Sequence, residues 1–172
     1  YACNKPTIAR VQGDCYAGGV GLVAACDMAL AVETAGFCLS EVRLGLIPAT
    51  ISPYVIRAMG ERASRRYFLT AERFDAPEAR RLGLVHEVVA EDQLGHEIDK
   101  LVNALLACSP HAIDEAKRLL SDISGEPINP ELITDTVRRI AQIRVSEQGR
   151  EGVQAFLNKR KPAWLADASN AS

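Results

Sequence analysis

The segment GDCYAGGVGLVAACD, residues 13–27, constrains the fold of this chain more than any other. It places Gly18, Gly19 and Gly21 between two apolar runs, TIARV and MALAV. Apolar strand-like runs on both sides of a short apolar helix predict a βαβ unit, in which parallel strands are buried on both faces. Glycines at the start of the helix indicate that another group approaches the backbone closely there.

After this unit the pattern changes from strands to helices. A short strand-like run, GFCL, is followed by a loop that contains Glu41. Ser52 is the expected N-cap of the helix SPYVIRAM, and Asp75 is that of the helix APEARR, because each precedes a proline by one or two residues. A third helix, ERASRRYFLTAERF, lies between them, and LVHEVV is typical of a short strand.

The last third of the chain has mixed charge and few strand signals. Three amphipathic helical segments are expected there, over residues 91–108, 110–123 and 130–158. The fold class is therefore α/β. We expect an α/β part over residues 1–90, a helical part over 91–165 and a flexible tail over 166–172.

Charge and hydropathy exclude several kinds of partner. The chain has 20 Lys and Arg against 22 Asp and Glu, a net charge of −2, so it has no general electrostatic reason to bind nucleic acid. Its apolar runs are shorter than the ~20 residues of a membrane span, and the N-terminus lacks the pattern of a signal peptide. We therefore expect a cytoplasmic or organelle-matrix protein with no nucleic-acid or membrane partner.

The cysteines and histidines give no sign of a metal or disulfide site. The five cysteines are odd in number and never occur as C-x-x-C, which is atypical of both a disulfide framework and a zinc site. We expect all five to be small buried hydrophobic residues. The three histidines lack the spacing of metal ligands. The prediction is no bound metal.

Two chemical interpretations of the glycine segment compete. GVGLVA fits the dinucleotide fingerprint G-x-G-x-x-A, and Glu41 lies twenty residues after Gly21. However, the extra residues QGDCYA lengthen the turn, and Glu41 falls in a loop instead of at a strand end. Alternatively, unpaired amides at the helix N-terminus hold an oxyanion that develops on a carbonyl. Close strand and helix packing alone would also explain the glycines.

Several separate blocks in this chain resemble the enoyl-CoA hydratase/isomerase family, the crotonase superfamily. They are KPTIARVQG, AGGVGL, CD, FCLSEVRLGLIP, LTAERFDAPEARRLGLV and the basic, aromatic tail REGVQAFLNKRKPAW. The blocks occur in family order over nearly the whole chain. The resemblance implies the C-terminal two-thirds of a crotonase-like ββα spiral, followed by a helical trimerisation region.

The resemblance also implies a substrate and a site. Family members bind acyl-CoA thioesters without a further cofactor and stabilise an enolate-like oxyanion with two backbone amides. One amide maps to Gly18, and the other belongs to a segment that in the family lies upstream of KPTIARV. The resemblance therefore implies that the N-terminal third either is missing from this sequence or lies on another piece. The catalytic residues expected here are Glu41 and Gly18. Residues expected to bind the substrate or CoA are Ala17, Gly19, Gly21, Pro48, Ala49, Phe156 and Lys159.

The exact reaction stays open because one family residue is replaced. Family hydratases commonly carry two catalytic glutamates, of which the second matches Glu41 and the first falls on Gly21. A single carboxylate suffices for allylic isomerisation, and it also suffices for hydration if one water passes its proton through Glu41. The expected activity is a 2-enoyl-CoA hydratase. The alternatives are an enoyl-CoA delta-isomerase and an inactive acyl-CoA-binding homologue.

Two segments bear on the substrate. The segment SEVRLGLIPATISPYV is similar to hydratases of branched or 3-methylglutaconyl-type substrates. Within it, IPATIS replaces the frequent family sequence I-P-G-A-G-G. Ala49 is still expected to offer its amide to water. In the family the tail reaches the CoA adenine and phosphates, a role that maps to Phe156 and Lys159, in a homotrimer or a dimer of trimers.

Overall fold

A computed structural model of the chain describes residue 1 and residues 3–167. The chain forms two compact units, Tyr1–Lys100 and a second that begins at Leu101. Residues 91–100, expected to begin the helical part, belong to the first of these units, and Leu94 is buried there. Of the expected tail over 166–172, the backbone of 166–167 ends a helix, and residues 168–172 lie outside the described residues.

The first unit contains two small sheets. One has the parallel order β1-β3-β6, formed by Ile8–Val11, Met28–Val32 and Glu87–Val89. The other has the order β2-β4-β5, formed by Cys15–Tyr16, Gly36–Cys38 and Phe74–Asp75. In this second sheet β2 and β4 are parallel and β5 is antiparallel to β4. The expected βαβ unit is confirmed, since helix α1 (Gly18–Ala25) connects β1 through β2 to the parallel strand β3.

The first unit also contains the helices α2 (Ser52–Met59), α3 (Glu61–Thr70) and α4 (Ala76–Arg81). Asp75 caps α4 as expected, because its side chain accepts a hydrogen bond from the Glu78 amide at 2.9 Å. The prediction for Ser52 is wrong. Ile51 is the N-cap of α2, and the Ser52 hydroxyl donates back to the Ala49 carbonyl at 2.9 Å.

Helix α3 ends four residues before the expected Phe74. Its C-cap Ala71 has a left-handed backbone with φ 49°, which stops the helix. Phe74 instead joins β5, and its ring stacks on Phe37 at 5.6 Å and meets Tyr67 at 4.2 Å. Packing of these three rings stabilises the strand conformation of Phe74 more than continuing the helix would, although the sequence of this segment has helical periodicity. Other fully buried core side chains are Val20, Leu30, Val32, Leu39, Val55 and Val85.

The remaining elements are helical: α5 (Leu94–Leu106), which contains the division between the units, α6 (Pro110–Ile123), α7 (Pro130–Val145), α8 (Glu147–Leu157) and α9 (Ala163–Asp167). The single helical segment expected over 130–158 is broken at Ser146. The Ser146 hydroxyl caps α8 by accepting from the Gly149 amide at 3.1 Å. A Cβ on Gly149 would lie 2.1 Å from the Ile143 carbonyl oxygen, so this tight junction requires glycine.

The cysteine prediction holds for one residue. Cys38 is buried and its thiol donates to the Ala71 carbonyl at 3.2 Å, whereas Cys15 and Cys26 are half-buried. Cys3 and Cys108 are exposed, which corrects the expectation that all five lie inside. Cys3 precedes β1 and Cys108 follows α5, so both lie outside the regular elements, whereas Cys38 lies within β4.

Candidate active site

The predicted site residues Gly18 and Glu41 follow two neighbouring parallel strands. Strand β2 runs directly into Ala17 and α1, and β4 leads through Leu39 and Ser40 to Glu41. Because β2 and β4 are parallel, their carboxyl ends lie at the same edge of the sheet. The Ala17 amide extends the pairing by donating to the Cys38 carbonyl at 2.8 Å. The tertiary structure therefore brings the two predicted catalytic segments together.

The N-terminus of α1 presents unpaired amides. Ala17 is its N-cap, and its carbonyl accepts from the amides of Val20 at 3.0 Å and Gly21 at 3.4 Å. Among the described residues, the amides of Gly18 and Gly19 have no acceptor, as the first turn of a helix dictates. Gly18 is exposed, with no atom within 4 Å of the place where a Cβ would stand. Such amides, with the helix dipole, favour a negative oxygen.

Ala17 holds an unusual backbone conformation at this turn. Its φ of 46° and ψ of −117° lie in a region that residues with a Cβ rarely adopt. Backbone strain of this kind clusters at functional sites, where the surrounding structure enforces it. Here the enforcing contacts are the hydrogen bonds to Cys38 and Val20, which fix the peptide on either side of Ala17.

Glu41 is the first residue of a 3₁₀-helix, Glu41–Leu44, that packs against α3. The residue is half-buried, as the apolar neighbours in the sequence predict. Its Oε2 atom is buried and has no hydrogen-bond partner among the described residues. Leaving such an oxygen unpaired costs about 1–3 kcal/mol, which is typical of a group that a protein keeps for a ligand or a reaction.

Gly21 is buried and faces another side chain. A Cβ on Gly21 would lie 2.1 Å from Cγ2 and 2.5 Å from Cβ of Ile51. Gly21, one of the predicted binding residues, therefore packs against Ile51 and has no open space beside it. The sequence interpretation missed Ile51. The available signal was the stretch IPATIS, which departs from the glycines of I-P-G-A-G-G.

The loop after Glu41 differs from expectation at Ala49. Pro48 is buried and Ala49 is exposed, but the Ala49 amide donates to the Ile47 carbonyl at 2.8 Å. The expectation of a free amide at Ala49 is therefore wrong, because a tight turn uses it. Leu44, Leu46 and Ile47 expose 60–74% of their surface and make this loop apolar.

An ion pair fixes the start of the two site strands. The Asp14 carboxylate accepts from the Gly36 amide at 2.7 Å and from the Arg73 guanidinium at 2.8 Å. The hydrogen bond from Arg73, followed by that from Gly36, lowers the pKa of Asp14.

Cys15 lies next to Asp14 in the chain. Burial, with a smaller contribution from the Asp14 charge, raises the pKa of the Cys15 thiol. The thiol beside the glycine turn thus stays protonated near neutral pH and is a poor nucleophile.

Phe156 and Lys159 lie in the second unit, at the end of α8. Phe156 is 82% exposed and Lys159 is also exposed. Lys159 has φ 51° and donates its amide to the Phe156 carbonyl at 3.2 Å. Next to it, Arg160 binds both carboxylate oxygens of Glu151 at 2.6 and 2.8 Å, so Arg160 is already paired while the Phe156 ring is open to solvent.

Residues 1 and 3–167 contain no cluster of three or more His, Cys, Asp or Glu residues that could hold a metal ion. Within the same residues, no helix is long and apolar enough to cross a membrane.

The position of Glu41 differs from that of a dinucleotide-binding residue. Glu41 follows β4 in a 3₁₀-helix, whereas a dinucleotide fold needs its acidic residue at the end of the strand after α1, which here is β3.

The fold and the site define an α/β protein in which a helix N-terminus and a carboxylate-bearing turn follow two parallel strands at one sheet edge. The family model described as enoyl-CoA hydratase/isomerase matches residues 1–167, and the chain belongs to this family. A solved enoyl-CoA hydratase from Shewanella pealeana is 51% identical with a TM-score of 0.90, over 94% of this chain and 60% of that one. The predicted crotonase-like fold is thereby confirmed.

Two curated relatives also match most of the chain. Mevalonyl-coenzyme A hydratase sidH of Aspergillus fumigatus is 34% identical over 166 residues, which is 94% of this chain and 60% of the relative. Carnitinyl-CoA dehydratase of Salmonella typhi is 30% identical over 173 residues, which is 94% of this chain and 63% of the relative. The chain thus spans about three fifths of the length of the proteins it resembles.

Proposed function

We propose that this chain carries the proton-transfer part of a 2-enoyl-CoA hydratase, with Glu41 as the catalytic acid and base and Gly18 as an oxyanion donor. The observation that carries the proposal is the placement of the unpaired Gly18 amide and the buried, unpartnered Glu41 oxygen after neighbouring parallel strands. Relatives named as a hydratase and a dehydratase of CoA thioesters support a reaction that adds or removes water.

In the proposed reaction, the Gly18 amide binds the thioester oxygen and draws electron density from C3. Glu41 accepts one proton from a water molecule as the water oxygen bonds to C3, and the C2=C3 electrons move to give the enolate. Glu41 then delivers the same proton to C2, so one water is added on one face and the carboxylate is regenerated. The substrate is activated by its own thioester, and no further cofactor is proposed.

Gly21 favours a second candidate. It supplies no side chain for a second acid or base, and allylic isomerisation needs only one carboxylate to move a proton between C2 and C4. Purified intact protein should be assayed with a 2-enoyl-CoA and with a 3-enoyl-CoA. Loss of the conjugated thioester absorbance supports hydration, whereas gain of that absorbance from the 3-enoyl substrate supports the isomerase.

Binding of an acyl-CoA without turnover of either ester would support the third candidate, an inactive acyl-CoA-binding homologue.

The acyl group itself is a separate part of the proposal. We expect a branched or 3-methylglutaconyl-type chain, and kcat/KM for branched esters should then exceed that for crotonyl-CoA. A cytoplasmic location is also proposed, and cell fractionation tests it.

The CoA portion is proposed to contact Phe156 and Lys159. An exposed aromatic face suits the adenine, and the lysine ammonium suits a phosphate as a point charge. Lys159→Ala and Phe156→Ala should each raise KM for the CoA ester while leaving the KM of a short pantetheine ester unchanged. Equal effects on both esters would contradict this role.

A homotrimer or dimer of trimers is proposed from the helical unit. Helix α7 exposes Ile133, Val137 and Ile140 by 53–63%, and their spacing places them on one helix face. An unpartnered apolar stripe is typical of a surface covered by another chain. Light scattering after size exclusion should give three or six times the chain mass, and Val137→Asp should lower it.

A further inference from the structure

Gly21 packs closely against Ile51, in the same helix whose N-terminus carries the proposed oxyanion donor Gly18. Gly21 lies one turn after Gly18, and residues three apart share a helix face with Cβ positions about 5–6 Å apart. A side chain at residue 21 would therefore extend beside the proposed oxyanion donor. That space holds Ile51, whose Cγ2 and Cβ would lie 2.1 and 2.5 Å from a Cβ on Gly21.

Ile51 has little freedom to move away. Its carbonyl accepts the amides of Tyr54 and Val55, each at 3.1 Å, so its backbone is fixed as the N-cap of α2. Its side chain branches at Cβ, which restricts χ1. The 2.5 Å approach also involves Cβ itself, which no rotamer change relocates. Even alanine at residue 21 would require a backbone shift.

We propose that Ile51 occupies the volume of a second acid–base side chain and thereby restricts proton transfer in this site to Glu41. This inference rests on the proposed function. Because the branched carbons of Ile51 stand where the Cβ of any side chain at residue 21 would lie, that side is occupied by apolar atoms and offers no second proton carrier. The water that adds to C3 is then positioned from one side, by Glu41, which both accepts and returns its proton.

The inference has a packing consequence that is independent of activity. Gly21→Ala should lower the Tm by roughly 5 °C or more, because overpacked core positions destabilise. In an Ile51→Gly background the same substitution should cost almost nothing, and glycine is itself a suitable N-cap. Ile51→Ala is the matched control: it removes Cγ2 and keeps Cβ, so Gly21→Ala should remain destabilising there.

The chemical consequence appears in the pH dependence of kcat/KM for hydration. The wild-type protein should show the ionisation of a single acid–base group, because one carboxylate both accepts and returns the proton. The double variant Gly21→Glu/Ile51→Gly should add a second ionisation, whereas Ile51→Gly alone should keep one. Glutamate at residue 21 without the Ile51 change should lower the Tm strongly.

Two results would overturn the role of Ile51. One is a Gly21→Ala protein with the wild-type Tm. The other is a stable double variant whose profile keeps a single ionisation. By contrast, a wild-type protein that turns over no enoyl-CoA contradicts the proposed function itself, and the Tm measurements then still report whether Ile51 closes residue 21.

Discussion

The amide of Ala17 donates to the carbonyl of Cys38 at 2.8 Å and joins the ends of the two strands that carry the proposed catalytic groups. Residue 17 begins the glycine turn, and residue 38 lies three positions before Glu41. A single backbone hydrogen bond thus joins the N-cap of α1 to the end of the strand that leads to Glu41. Disturbing either strand should therefore affect both halves of the site.

Glu41→Gln should lower kcat by about 10²–10⁴-fold, since the amide cannot take and return a proton. Affinity for the CoA ester, measured by calorimetry, should change little because the shape of the side chain is kept. Glu91→Gln is a suitable control: Glu91 also begins a 3₁₀-helix but is exposed. Equal activity of the Glu41→Gln and wild-type proteins would show that Glu41 is not the proton carrier.

Ala17→Gly should raise the free energy of unfolding by about 1 kcal/mol, because glycine adopts φ 46° and ψ −117° without strain. Urea denaturation measures the change. Ala24→Gly, in the same helix but with ordinary helical geometry, should have the opposite sign. If both substitutions destabilise equally, the Ala17 backbone is not strained.

Asp14→Ala should lower both the Tm and kcat, because Asp14 binds Gly36 and Arg73 and so aligns the starts of β2 and β4. The pKa of Asp14 is lowered in the folded protein, so its stabilising effect is present above the ordinary value of 3.8 and is lost as pH falls through the folded pKa. Thermal melts between neutral and acid pH test this. A variant with normal Tm and reduced kcat would place Asp14 closer to the chemistry than the structure indicates.

Glu78 should contribute an acid-dependent part of the stability. Arg81 donates to its carboxylate at 2.6 and 2.7 Å and Tyr67 at 2.9 Å, and the hydrogen bonds from Arg81, ahead of that from Tyr67, lower its pKa to about 2. The folded-state pKa lies below the ordinary 4.5, so the stabilisation is complete above 4.5 and disappears toward pH 2.

Glu78→Gln should therefore flatten the dependence of Tm on pH between about 4.5 and 2. Tyr67→Phe removes one donor and should flatten it partly. Melting curves of the three proteins at matched ionic strength give the comparison, and parallel curves for wild type and Glu78→Gln would rule out this contribution.

Gly152→Leu should displace the ring of Trp164, since even a Cβ at residue 152 would lie 3.0 Å from the ring atom Cη2. The indole N–H donates to the Ala107 carbonyl at 3.3 Å, and this bond should also be lost. Trp164 is the single tryptophan of the chain, so its fluorescence emission should shift to longer wavelength.

Gly95→Ala provides the control for this substitution. Gly95 is also helical, but a Cβ there meets no atom within 4 Å, so the tryptophan spectrum should stay unchanged. An unchanged spectrum for Gly152→Leu would contradict the contact between Gly152 and Trp164.

Local signals in the sequence were sufficient for several elements. The βαβ unit followed from two apolar runs around a glycine turn, and Asp75 followed from its position before Pro77. The end of α3 at Thr70 was not predictable in the same way. Its periodicity is helical, and the ring contacts of Phe74 with Phe37 and Tyr67 that redirect the chain are distant in sequence.

The same distinction applies to the candidate site. The residue types of the site were evident from the sequence: glycines at the start of a helix, a carboxylate with apolar neighbours, and no side chain at residue 21. That Glu41 and Gly18 follow parallel strands at one sheet edge, and that Ile51 fills the space beside Gly21, became evident only in the folded chain. A local preference was enough for a cap such as Asp75, whereas these two relationships depend on strand pairing and side-chain volume between segments that are far apart in the chain.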